Sequence, residues 1–217
     1  MRTIIDTARG GTRPAVLMAL LTGSLSEPED FVREGFPQAM RAQGIDAEVV
    51  MAEVRAAWVA DGSVVRRIEE SVVAPGRSRG HSRIWLAGIS LGGLAALGYA
   101  ARHARNLEGI ALISPYPATR EVLREVDAAG GLPRWNPEIP ADGDLEREAW
   151  LWLAHRAGQA PAVLCYFASG DRFADGQRRM AATLAPGDAR ELPGGHDWRA
   201  WRALWDAFLA ERKAMLQ

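Results

Sequence analysis

The sequence predicts an α/β protein: a mainly parallel, doubly wound sheet with helices on both faces. Three observations predict it. Continuous apolar runs of strand length, such as Ala15 to Leu21, recur along the chain and read as strands buried on both faces. Amphipathic stretches of helical period separate them, and this β-α-β-α order winds a parallel sheet. The chain has 217 residues, 48% of them hydrophobic, which suits one domain over 1–217 with a sizeable core.

Each element follows from local pattern. Thr3 to Asp6 reads as an edge strand. Ala15 to Leu21 is the first buried strand and stops at Thr22-Gly23-Ser24. A helix then begins with Ser26 as N-cap, Pro28 in its first turn and Glu29 closing a capping box. Phe31, Val32, Phe36 and Met40 form its buried stripe, and Gly44 ends it. Ile45 to Val50 is a second strand. Asp61 caps a helix through Val64, Val65, Ile68 and Val72 that ends before Pro75-Gly76. Arg83 to Ala87 is a strand, Leu91 to Arg105 a helix, and Leu107 to Ile113 a strand stopped by Ser114-Pro115. Ala162 to Ala168 is a strand, Phe173 to Leu184 a helix, Arg190 to Leu192 a short last strand, and Trp198 to Met215 a closing helix. Trp198, Trp201 and Trp205 recur at helical spacing and read as a face packed on the sheet.

The stretch 115–160 breaks this rhythm. It holds two helices, about 120–129 and 144–157, around the Pro/Gly-rich segment GGLPRWNPEIPADG. A long insertion between two strands reads as a lid or binding element. Its Tyr116, Trp135 and Trp150 are candidates for an apolar substrate pocket, and the same rings equally well pack the lid onto the body.

Composition narrows the function classes. The net charge is −1 and no Lys/Arg block occurs, so neither nucleic acid nor an anionic membrane is an expected partner. No run approaches the ~18 apolar residues of a membrane span, and the first residues lack the apolar core of a signal peptide, so a cytoplasmic location is expected. A homodimer is left open. The single cysteine, Cys165, lies within an apolar strand and reads as a buried core residue.

One stretch carries chemistry. Gly88-Ile89-Ser90-Leu91-Gly92 is a G-x-S-x-G between an apolar strand and a helix. That context raises a serine hydroxyl on a sharp turn, with glycines giving clearance and a helix N-terminus favouring developing negative charge. Serine needs a base, and the base needs an orienting acid. Of the four histidines, His81 precedes the Ser90 strand at its far end, His103 is late in a helix and His155 lies in the insertion. His196 stands between the last strand and the last helix, on the edge where the Ser90 turn emerges. Asp171 directly follows the strand 162–168 and is the chosen acid. Asp175 competes but falls in a helix's first turn, where acids commonly complement the dipole. Asp197 adjoins His196 and can cap the last helix.

The order Ser90, Asp171, His196, carried by GISLGG, SGDRF and GGHDW, resembles the α/β-hydrolases, especially small esterase, lipase and thioesterase members. The resemblance spans nearly the whole chain. It implies an α/β-hydrolase fold, a nucleophile elbow at Ser90, a Ser90-Asp171-His196 triad and a small-molecule ester or thioester substrate, with no metal or organic cofactor. It also implies an oxyanion hole from the Leu91 N–H and a second donor in the loop after residue 21, where Gly23, Ser24 and Leu25 stay open. Here the chain departs from the family, because no histidine precedes Gly23. An acyltransferase on the same triad and a non-catalytic binding protein of the same fold are the competing readings.

Overall fold

A computed structural model of the chain describes residues 1–7, 14–139, 143–156 and 158–217. Its sheet has seven strands: β1 (Thr3–Asp6), β2 (Val16–Leu21), β3 (Ala47–Ala52), β4 (Arg83–Ile89), β5 (Gly109–Ile113), β6 (Ala162–Ala168) and β7 (Ala189–Leu192). They lie in the order β1-β3-β2-β4-β5-β6-β7. Only β1 runs antiparallel to its neighbour, and every other pairing is parallel. The order reverses between β2 and β4, because β3 returns to one side of β2 and β4 crosses to the other. In open parallel sheets, ligand sites form beyond the strands' carboxyl ends near such a reversal.

Strand alternation divides the interior into two cores. Leu17, Ala19 and Leu21 of β2 face one layer while Val16, Met18 and Leu20 face the other. Both sets are apolar, so β2 reads as an unbroken hydrophobic run. The first layer receives α3 (Ala56–Ala60), α4 (Val64–Ile68), α6 (Leu91–His103), α7 (Arg120–Ala128), α8 (Leu145–His155) and Met180 of α9 (Ala174–Ala181). The second receives α1 (Pro28–Arg33), α2 (Phe36–Ala42) and α10 (Trp198–Arg212). Trp205 of α10 stacks on Phe36 and Phe208 and donates its indole N–H to the Phe36 carbonyl at 3.1 Å.

Local physics moved several expected boundaries. The first cap is Glu27 rather than Ser26, because Asp30, not Glu29, reaches back to the Glu27 N–H at 2.9 Å, while Glu29 pairs with Arg2. That helix is also broken: Gly35 takes a positive φ of 76° between α1 and α2, and Val32 faces solvent. The helix expected to stop before Pro75-Gly76 continues instead. A π-helical segment, Glu69–Val73, leads without a break into α5 (Ala74–Ser78), and Pro75 falls directly after it, where the hydrogen-bond register shifts and its missing N–H is accommodated.

The insertion holds α7 and α8, and residues 140–142 and 157 lie outside the described part. The α8 helix packs along α6, and Trp150 is buried there with its indole N–H donating to the Pro117 carbonyl at 2.7 Å. No helix of the described residues is long and apolar enough to cross a membrane.

Candidate active site

The site begins with the backbone of Ser90. The residue follows β4 directly and takes φ 50° and ψ −117°, a strained conformation for a side-chain-bearing residue. Three backbone hydrogen bonds hold it there. Its N–H donates to the Ile113 carbonyl at 3.2 Å, and its carbonyl accepts from Gly93 at 2.9 Å and Tyr116 at 2.8 Å. The flanking glycines have a steric reason. A Cβ on Gly88 would sit 2.2 Å from the Gly92 carbonyl oxygen, and one on Gly92 would sit 2.3 Å from the Leu21 carbonyl oxygen.

His196 arrives from the loop after β7. Its Nε2 lies 3.0 Å from Ser90 Oγ, and its Nδ1 lies 2.7 Å from Asp171 Oδ2. A carboxylate only accepts, so Nδ1 carries the proton and Nε2 is left to accept from the serine hydroxyl. The ring is clamped edge-to-face by Phe173 at 5.1 Å and Trp201 at 5.0 Å. Trp201 therefore packs on the sheet layer, as its spacing predicts, and also fixes the imidazole.

The Asp171 side chain is fully buried. Its Oδ1 accepts from the Phe173 N–H at 2.8 Å, and its Oδ2 accepts from Gln177 Nε2 at 3.1 Å as well as from His196. Burial pushes such a carboxyl up, but donation by His196, the Phe173 N–H and Gln177 more than offsets it, so its pKa lies below the usual 3.8. The acid and histidine loops are joined directly, Gly170 N–H donating to the Gly194 carbonyl at 2.9 Å.

The competing residues lie elsewhere. The Asp175 side chain is 92% exposed and pairs with Arg178. Asp197 caps α10 through the Ala200 N–H at 2.9 Å. His81 is buried between Glu48 and the Pro14 carbonyl, His103 ends α6 beside Tyr99, and His155 is exposed on α8. Cys165 is buried, and burial pushes its thiol up to about 12, so it is protonated at neutral pH.

A cavity of about 340 Å³ opens on Ser90, and Ser24, Leu91 and Tyr116 are among its lining residues. Trp135 and Trp150 are not: both are buried in the core that α8 shares with α6. Ala56, Val59 and Ala60 of α3, Glu146 of α8, Arg172 and Phe173 supply the rest. None of these was legible from sequence, since α3 and the loop after β6 meet only in three dimensions. Gly23 backs onto Ser90, whose Cβ would stand 3.5 Å from a Cβ on that glycine. Thr22 pins the loop at both ends of the residue, its N–H donating to Ala52 and its hydroxyl accepting from the Val54 N–H at 2.9 Å. Leu25 is 98% exposed. Gln177 also escaped the sequence reading, although a signal existed: it lies on the same buried face of α9 as Ala174 and Met180.

Known proteins resemble the chain in this frame. The esterase family, described as "Putative esterase", matches residues 63–211. No curated protein matches. Among solved structures, the fluorophosphonate-binding serine hydrolase FphF of Staphylococcus aureus has a TM-score of 0.69 at 12% identity, over 99% of this chain and 92% of its own. Est1E from Butyrivibrio proteoclasticus has 0.67 at 16%, over 98% and 94%. The S-formylglutathione hydrolase FrmB of S. aureus has 0.65 at 14%, over 96% and 84%. At these identities the structures share a fold with this chain.

Proposed function

The chain belongs to the esterase family, a family of ester hydrolases, and from that premise we propose that it cleaves carboxylic esters or thioesters through Ser90, His196 and Asp171. One observation carries the reading: an unbroken line of hydrogen bonds, 3.0 Å from Ser90 Oγ to His196 and 2.7 Å from His196 to Asp171, beside a cavity.

The chemistry follows from the geometry. His196 Nε2 takes the hydroxyl proton as Ser90 Oγ attacks the carbonyl carbon. Asp171 holds the tautomer and stabilises the imidazolium. The carbonyl oxygen becomes an oxyanion, to which the Leu91 N–H at the start of α6 donates, with a second donor from Gly23 or Ser24. His196 then protonates the leaving alcohol or thiol, leaving an acyl group on Ser90 Oγ. It next takes a proton from water, hydroxide attacks the acyl carbon, and Ser90 leaves with its proton restored. The insertion contributes Tyr116 and Glu146 to the rim, and the cavity volume suits a small acyl or alcohol group.

The test is a Ser90→Ala protein on p-nitrophenyl acetate, with fluorophosphonate labelling beside it. Turnover and labelling are both expected to vanish. Hydrolysis at the parental rate by the alanine protein would refute the assignment. A folded parent that neither labels nor turns over would favour a binding protein, and ester products formed with an added alcohol would favour acyl transfer.

A further inference from the structure

We infer that Gln177 is a positioning residue for the acid Asp171, an inference that rests on the triad reading. Its side chain is fully buried on α9. Nε2 donates to the Pro115 carbonyl at 2.9 Å and to Asp171 Oδ2 at 3.1 Å. Both neighbours are pure acceptors, so only the NH₂ group can face them. A flipped amide would set Oε1 against a carbonyl and a carboxylate. The amide's orientation is therefore dictated by Asp171 and the 115–117 segment.

That orientation has a penalty. With NH₂ turned inward, Oε1 is buried with no partner among the described residues. An unsatisfied buried acceptor is destabilising, and an apolar side chain of the same length would avoid it. Two further features point to use rather than accident. Gly176 lets α9 approach closely, since a Cβ there would lie 2.5 Å from Pro117 Cγ. The Tyr116 N–H, next to Pro115, donates to the Ser90 carbonyl at 2.8 Å. Gln177 thus ties the acid to the segment that also clamps the nucleophile's turn. Nucleophile and acid keep their spacing, and His196 spans them.

The test compares Gln177→Met, which keeps length and loses the donor, with Gln177→Glu, which keeps shape and can donate to Asp171 only while its carboxyl is protonated. Loss of one hydrogen bond to a charged group predicts a kcat lower by about tenfold for the methionine protein. KM should barely move, because Gln177 does not line the cavity. Near neutral pH the glutamate protein should lose less than the methionine one, and its kcat should fall as pH rises and the new carboxyl ionises against Asp171. The low-field proton resonance of the His196–Asp171 hydrogen bond should shift or broaden in both. Parental kcat and an unshifted resonance in a folded methionine protein would overturn the inference, as would a glutamate protein whose kcat does not fall with rising pH. The resonance needs no turnover, so it tests Gln177 even if the parent cleaves no ester, an outcome that would count against the esterase mechanism alone.

A separate observation bears on the substrate. The geometry points to an ester carrying an anionic group, read by Arg172, and this too rests on the esterase reading. Arg172 lines the cavity on Ser90, and its guanidinium is held 4.8 Å over the Phe173 ring. Arg172 is exposed and forms no ion pair among the described residues; Glu146, on the same cavity, is turned to the Thr119 N–H at 2.8 Å, and Asp175 pairs with Arg178. An adjoining cavity of about 360 Å³ shares Tyr116, Arg172 and Phe173 and adds Arg120, which has no ion pair among the described residues, and Asp175, which pairs with Arg178. Mono-p-nitrophenyl succinate should therefore be preferred over p-nitrophenyl butyrate, with the ratio of kcat/KM falling about tenfold in Arg172→Ala. Binding of the succinate ester to Ser90→Ala, with and without Arg172→Ala, provides the same comparison without turnover. A parent indifferent to the carboxylate, or an Arg172→Ala protein that keeps the full preference, would overturn it.

Discussion

Replacing Gly88 with alanine should damage catalysis far more than stability. The new Cβ would stand 2.2 Å from the Gly92 carbonyl oxygen, 2.3 Å from its carbon and 2.5 Å from Gly93 N, all backbone atoms. Real Cβ contacts essentially never fall below 3.0 Å, so the turn must open by about 0.8 Å. It cannot open freely, because Gly92 is pressed against the Leu21 carbonyl and Ser90 is held by Ile113, Gly93 and Tyr116. The displacement therefore falls on Ser90 itself, 3.0 Å from its base. A misplacement of about 1 Å typically lowers rate by about 100-fold, while overpacking a core turn destabilises by about 1–3 kcal/mol. In a chain of this size that is a Tm lower by roughly 2–12 °C. Stopped-time p-nitrophenyl acetate hydrolysis, fluorophosphonate labelling rate and thermal melts measure all three. Gly187→Ala, where no atom lies within 4 Å but φ is 90°, should cost stability through backbone strain and leave the labelling rate intact, which separates the two effects. A Gly88→Ala protein labelled at the parental rate would refute the clearance argument.

Asp171→Asn should lower kcat by about 10⁴ with the fold retained, since an amide no longer enforces the Nδ1–H tautomer; activity within tenfold of the parent would contradict that role. Because the folded pKa of Asp171 lies below its usual 3.8, its ionised form contributes stability that is present above about pH 4 and lost as pH falls through the lower folded value. Acid titration of denaturant midpoints should thus show a steeper fall below pH 4 for the parent than for the asparagine protein. Trp205→Ala removes a buried ring stacked on two others and a bonded indole N–H, so a loss of about 3–5 kcal/mol is expected by urea unfolding. Iodoacetamide at neutral pH should neither modify Cys165 nor inhibit the folded protein, as mass spectrometry would show.

Much of the molecule is legible in its residues alone. A run such as Val16 to Leu21 is apolar on both alternating faces, and only a strand between two helical layers satisfies that pattern. Parallel strands all end on one edge, so residues following β4, β6 and β7 had to emerge together. That is why Ser90, Asp171 and His196, far apart in the chain, come within hydrogen-bond distance. Helix ends were less legible. Glu27 outcompeted Ser26 as a cap through the reach of one Asp30 side chain, and a π-helical turn carried a helix past Pro75.

By itself, then, the sequence determined the layered parallel sheet, the glycine-cleared serine turn and the edge at which base and acid arrive, because these depend on period, backbone clearance and strand direction. The tertiary structure alone decided that Trp135 and Trp150 pack into the core and Tyr116 faces the cavity. It also decided that Arg172 and α3 line that cavity and that Gln177 faces Asp171. Those outcomes turn on how α8 lies along α6 and how closely α9 approaches Pro117. Such packing is set by the volumes of many side chains at once, and no local stretch of sequence contains it.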